Sequence, residues 1–160
     1  RTVGDGEIIT ARPQPSRMGG TILVGFDGSE QARAALTFAA DEWSESSFRL
    51  VYVIDPTVGG YAARSSVPSA AEEWYEETRA EAEATLQDGV DLIRDSVAGR
   101  IETDTAVGKP AKTLVEYAED HDIDHVVVGS HGRTGVSRLL LGSNAERIVR
   151  RSPVPVTVVR

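Results

Sequence analysis

The chain has 160 residues, 17 basic against 25 acidic side chains, a formal net charge of −8 and no cysteine. That length suits one domain burying about two thirds of its unfolded surface, and the missing cysteine excludes disulfides, thiolate metal sites and thiol nucleophiles while suiting a reducing cytoplasm. The acidic balance disfavours nucleic acid, no run approaches the roughly 18 apolar residues of a membrane span, and Arg1 to Gly20 lacks the apolar stretch of a signal peptide.

Residues 1–19 carry Pro and Gly without sustained periodicity and read as a flexible tail, with residues 20–160 as the one folded domain. Met18, just before the first strand, is the expected natural start. Thr21 to Phe26 is an apolar run too short for a helix and reads as a first, buried strand. Ser29 is placed to cap a helix whose apolar residues Ala32, Ala35, Leu36, Ala39 and Trp43 recur at helical spacing. Phe48 to Asp55 is the second strand, and the Pro/Gly/Ser-rich stretch Pro56 to Ser69 a surface loop.

Ala70 to Val97 reads as a long charged helix with one apolar stripe through Trp74, Thr78, Ala82, Leu86, Val90 and Ile93, and the acids of Glu72 to Glu83 as its solvated face. Arg100 to Val107 alternates, as an edge strand does; Pro110 opens a helix to about Asp120; Ile123 to Gly129 is a fourth, buried strand. A helix from Ser143 to Arg151 and the strand Val154 to Arg160 complete the chain. Five strands alternating with four helices predict an α/β, doubly wound, mostly parallel sheet with helices on both faces.

The chemistry concentrates in Gly129 to Arg147, a loop that leaves a buried strand and opens a helix, where ligands of open α/β sheets sit. Gly129, Gly132 and Gly142 allow close backbone approach. Ser143 and Glu146 have capping-box spacing, which leaves the amides of Ser143, Asn144 and Ala145 for an anion. Arg133 and Arg138 can add charge-assisted bonds to phosphate. Neither G-x-x-x-x-G-K-[ST] nor G-x-G-x-x-G is present.

Gly129, Gly132, Gly142 and Ser143 follow the spacing G-x2-G-x9-G-[ST], and with "ILVGFDGSE" (Ile22 to Glu30), "LVYVID" (Leu50 to Asp55) and "IDHVVVGSHGRTG" (Ile123 to Gly135) the chain resembles the ATP-binding universal stress proteins from about Gly20 to Arg160. The resemblance implies an adenine nucleotide alpha hydrolase-like sheet of order 3-2-1-4-5, with ATP, ADP or AMP between strands one and four. Carried over, Gly25, Phe26 and Asp27 line the base and ribose, with Asp27 near the ribose or a Mg²⁺ ion, and Val53 contacts adenine. Val128, Gly129, Ser130, His131, Gly132 and Arg133 wrap the ribose and α-phosphate, and Gly142, Ser143 and Asn144 hold the outer phosphates. Gly25 departs from the pattern, standing where some members have Pro.

Structural alternatives accompany each reading. Asp27 in Asp-Gly-Ser suits an ordinary turn, and Asp120, His121, Asp122, Asp124 and His125 read as solvated polar residues rather than a metal site. Ser130 and His131 are adjacent and lack a G-x-S-x-G elbow, so a hydrolase triad is not expected. The leading expectation is a nucleotide-binding stress-response or regulatory protein; a slow ATPase and a nucleotide-free protein-interaction member of the same fold are the alternatives. In the implied order the last strand is outermost, so a homodimer is expected through Val156, Val158 and Val159.

Overall fold

The short apolar runs become the centre of one sheet because each is hidden on both sides. In a computed structural model, which describes residues 8–10, 19–58, 66–131 and 141–160, the strands are β1 (Ile8–Thr10), β2 (Thr21–Gly25), β3 (Ser47–Ile54), β4 (Ile101–Val107), β5 (His125–Gly129) and β6 (Val156–Val159). The helices are α1 (Glu30–Glu42), α2 (Pro68–Ile93), α3 (Pro110–Asp120) and α4 (Ser143–Arg151). The sheet order is β1-β6-β5-β2-β3-β4, with β2 to β6 mutually parallel. These five are the predicted strands one to five in the predicted order 3-2-1-4-5.

Alternation along the strands divides the core into two layers. Ile22, Val24, Phe48 and Leu50 pack under α1 and α2 with Ala35, Leu36, Trp74 and Leu86. Leu23, Val51, Val126 and Val128 pack under α3 and α4 with Leu114, Val115, Ala145 and Ile148. Ser29 caps α1, its Oγ accepting the Ala32 N–H at 3.2 Å. Helix α2 begins at Pro68, before the expected Ala70, because proline's fixed φ suits a first helical turn. Its Glu72 to Glu83 face is exposed as expected.

The two edges are closed differently. β4 carries the predicted half-solvated pattern, and its charges turn to use: Glu102 pairs with Arg49, whose Nη1 donates to the Tyr117 hydroxyl at 3.0 Å, and that hydroxyl donates to Asp104 at 3.1 Å. Charged side chains on an edge oppose further pairing. At the other edge the structure corrects the sequence reading, because β6 is not outermost. Ile8–Thr10 run antiparallel to it, with Ile8 opposite Val159, Ile9 opposite Val158 and Thr10 opposite Thr157. An apolar strand with a free row of backbone groups has been paired within the chain, by residues from the segment read as a tail.

His125 is a second correction. The sequence groups it with solvated polar residues, yet it is fully buried at the start of β5, where alternation turns its side chain inward against the Trp43 ring, 4.7 Å between centroids. Its Nε2 shares a 2.8 Å hydrogen bond with the Thr157 hydroxyl, and Nδ1 has no partner among the described residues. Burial pushes its pKa down to about 4. Asp124 is structural too, accepting the Thr21 N–H at 2.8 Å.

Candidate functional site

The carboxyl ends of β2 and β5 lie side by side at the centre of the sheet, and the loops leaving them build the candidate site. Beyond β2, the Phe26 N–H continues the ladder by donating to Val51 O at 2.9 Å, while its ring is buried beneath α1 with the Arg33 guanidinium 6.0 Å from its centroid. Phe26 therefore offers a ligand its backbone, not its ring. The chain then turns at Gly28 (φ 77°), and the Asp27 carboxylate accepts the Ser29 N–H at 3.0 Å, the bond that makes Asp-Gly-Ser a stable turn.

Beyond β5, Ser130 ties three elements together. Its N–H donates to Val159 O at 2.7 Å, its carbonyl accepts the Gly142 N–H at 2.8 Å, and its hydroxyl shares a 2.9 Å hydrogen bond with His131 Nδ1. Ser130 is buried, with every one of these groups satisfied inside the protein. Gly142 is the N-cap of α4, and a Cβ there would stand 2.5 Å from Ser130 O. Gly129 is equally confined, since a Cβ would come within 2.8 Å of the Gln31 backbone in the first turn of α1. Both glycines are required where backbone meets backbone, so the chain's own packing explains them.

The expected capping box does not form. The helix starts one residue early for it: Gly142 caps, Ser143 is already the first helical residue, and no side chain bonds the end. Glu146 pairs instead with Arg150 one turn further on, at 2.8 Å. Without a side-chain cap, the first-turn amides of Ser143, Asn144 and Ala145 have no acceptor within the helix, and Ser143 and Asn144 are exposed. Gly132, Arg133 and Arg138 lie outside the described residues.

Gly25, Val53 and Val128 share the sheet face covered by α3. A Cβ on Gly25 would meet Leu114 Cδ1 at 2.7 Å and Val128 Cγ1 at 3.4 Å, and half-buried Val53 packs into the same cluster. Leu114 was absent from the expected set, because its helical spacing signals only a core position. A cavity of about 840 Å³ opens on the other face, between α1 and α2, lined by Asp27, Ser29, Gln31, Arg33, Tyr52 and Glu81 among others. Among the described residues it shares Asp27 alone with the expected set. Among the described residues no group of three or more His, Asp or Glu could hold a metal, and no helix is long and apolar enough to cross a membrane.

A doubly wound α/β sheet with five parallel strands in the order 3-2-1-4-5 is the class of fold the sequence pattern suggested. The Universal stress protein family matches residues 18–160, and the chain belongs to it. A universal stress protein of Methanocaldococcus jannaschii is 34% identical over 145 residues, covering 87% of this chain and 81% of its own. Among solved structures, UspA of Lactobacillus plantarum superposes with a TM-score of 0.76 at 27% identity, covering 91% of this chain and 100% of its own. A universal stress protein in complex with cAMP gives 0.66 at 25% identity, covering 90% and 98%.

Proposed function

We propose that this protein binds an adenine nucleotide at the carboxyl ends of β2 and β5 and acts through occupancy of that site, as a stress-response or regulatory protein. The observation that carries the reading is the hydrogen bond from Gly142 N–H to Ser130 O, 2.8 Å, which sets the uncapped amides of α4 beside the end of β5. Free amides at a helix start attract phosphate, and the crevice between central strands is where nucleotides bind in open α/β sheets. The relative solved with cAMP supports adenine as the base.

In this reading Gly25, Val53 and Val128 flank the base, Asp27 holds the ribose, and Ser143 and Asn144 take phosphate oxygens, with Gly132 and Arg133 completing the loop. A magnesium ion enters with the phosphates, and Asp27 is the carboxylate placed to meet it. Ser130 is buried with its N–H and carbonyl committed to Val159 and Gly142, so its part in this reading is to shape the loop. Binding, not turnover, is the activity proposed. The edge expected to pair with a second copy through Val156, Val158 and Val159 carries β1.

Thermal melts with ATP, ADP, AMP, cAMP and GTP, with and without Mg²⁺, test the reading. A ligand at 100 times Kd adds about 2.7 kcal/mol, or roughly 5–10 °C for a domain of this size. Adenine nucleotides are expected to raise the midpoint more than GTP, with phosphate release near the uncatalysed rate. Absence of any shift with millimolar adenine nucleotides would overturn it.

A further inference from the structure

The edge strand β1 and the candidate loop are joined by a short run of backbone hydrogen bonds. Along β6, Pro155 O accepts the Val126 N–H at 2.9 Å and Val159 O accepts the Ser130 N–H at 2.7 Å, so the odd-numbered residues face β5. Alternation turns the N–H and C=O of Val158 outward, and the register sets Ile9 directly opposite, as the residue that exchanges both bonds with it. The run is therefore Ile9 to Val158 across the edge, Val159 to Ser130 across β5–β6, and Ser130 to Gly142 at the start of α4, at 2.8 Å.

We propose that docking of β1 on β6 regulates the candidate nucleotide loop, the docked strand holding Val159, Ser130 and Gly142 in the arrangement that presents the first-turn amides of α4. This deepens the nucleotide reading and rests on it for the ligand. β1 is the element suited to be the variable one. It is three residues long, and among the described residues β6 is its one strand partner. A ladder that short exchanges between docked and undocked far more readily than the central strands open. β6 ends at Val159, directly where Ser130 is bound, so loosening of its last residues reaches the loop through two backbone hydrogen bonds.

Residue-resolved amide exchange on the full chain and on Ile9→Pro, without nucleotide, tests this. The variant removes the N–H that faces Val158 O. Light scattering fixes a concentration at which both proteins have the same mass, so that no second copy fills the edge. Expected is at least tenfold faster exchange at Val158, Ser130 and Gly142, with β2 amides unchanged. If Val158 keeps its protection in Ile9→Pro, a chain lacking residues 1–10 repeats the measurement. Loss of protection at Val158 with Ser130 and Gly142 unaltered overturns the coupling, as does full protection of Val158 in the chain lacking residues 1–10. ATP or cAMP affinity is measured in parallel and is expected to fall several-fold in the variant. A full chain that binds neither would sink the nucleotide reading, while the exchange data still decide the coupling.

Discussion

Acidification probes the buried His125 directly. In the folded protein its imidazole is fully buried, held by Thr157 at Nε2 and faced by Trp43, with no partner for Nδ1 among the described residues, and its pKa is pushed down to about 4 from 6.5. The unfolded chain therefore takes up a proton that the folded one refuses. Stability from this group is fully present above about pH 6.5 and is lost as pH falls from there to about 4, below which both states are protonated and the loss stops. At about 1.4 kcal/mol per pH unit the whole displacement comes to about 3 kcal/mol, of which about 2 is lost by pH 5, before most carboxylates titrate. Urea unfolding at pH 7.5 and 5.0 measures it, with His125→Gln as the reference because it retains a hydrogen-bonding side chain and does not titrate. The wild type is expected to lose about 2 kcal/mol more than the variant over that interval. Equal losses in the two proteins would refute the buried, neutral imidazole.

Gly142→Ala is expected to destabilise by about 1–3 kcal/mol, since its φ of −62° suits any residue but the new Cβ strikes Ser130 O and breaks the buried Gly142–Ser130 bond; a urea midpoint within error of wild type would contradict the geometry. Gly25→Ala is expected to cost less, about 1 kcal/mol or under, because its Cβ meets the movable tip of Leu114. Tyr117→Phe removes the hydroxyl that joins Arg49 to Asp104 and is expected to lower stability by about 1 kcal/mol, read by the same unfolding assay.

The parallel sheet was legible because each β2, β5 and β6 run is apolar without alternation, which in a chain of alternating strands and helices means burial on both faces. β4 announced itself as an edge through Glu102 and Asp104. β1 was not legible: three residues hold no period, and what selects them is the vacant row on β6, a property of the assembled sheet rather than of Ile8 to Thr10. His125 was misjudged for a related reason. A helix end followed by a strand start suggests solvated polar residues, but side-chain direction is set by where β5 begins, and a strand starting at His125 sends that ring inward.

The glycine spacing was read from sequence as room for a ligand, and the structure assigns that room differently. Gly129 is small because the first turn of α1 crosses it, and Gly142 because Ser130 O does. Substituting either disturbs the junction of β5, α1 and α4 before any ligand arrives, so lost binding in Gly142→Val would report a deformed loop as much as a blocked site. The more selective substitutions are those that leave this junction alone. Asn144 is exposed on the first turn of α4, its side chain makes no cap, and Asn144→Pro would remove one amide while suiting the first-turn backbone. If α4's amides bind phosphate, that change should weaken nucleotide binding with stability within about 1 kcal/mol of wild type. Unchanged affinity in a folded Asn144→Pro would remove that amide from the site and leave the loop glycines as packing residues alone.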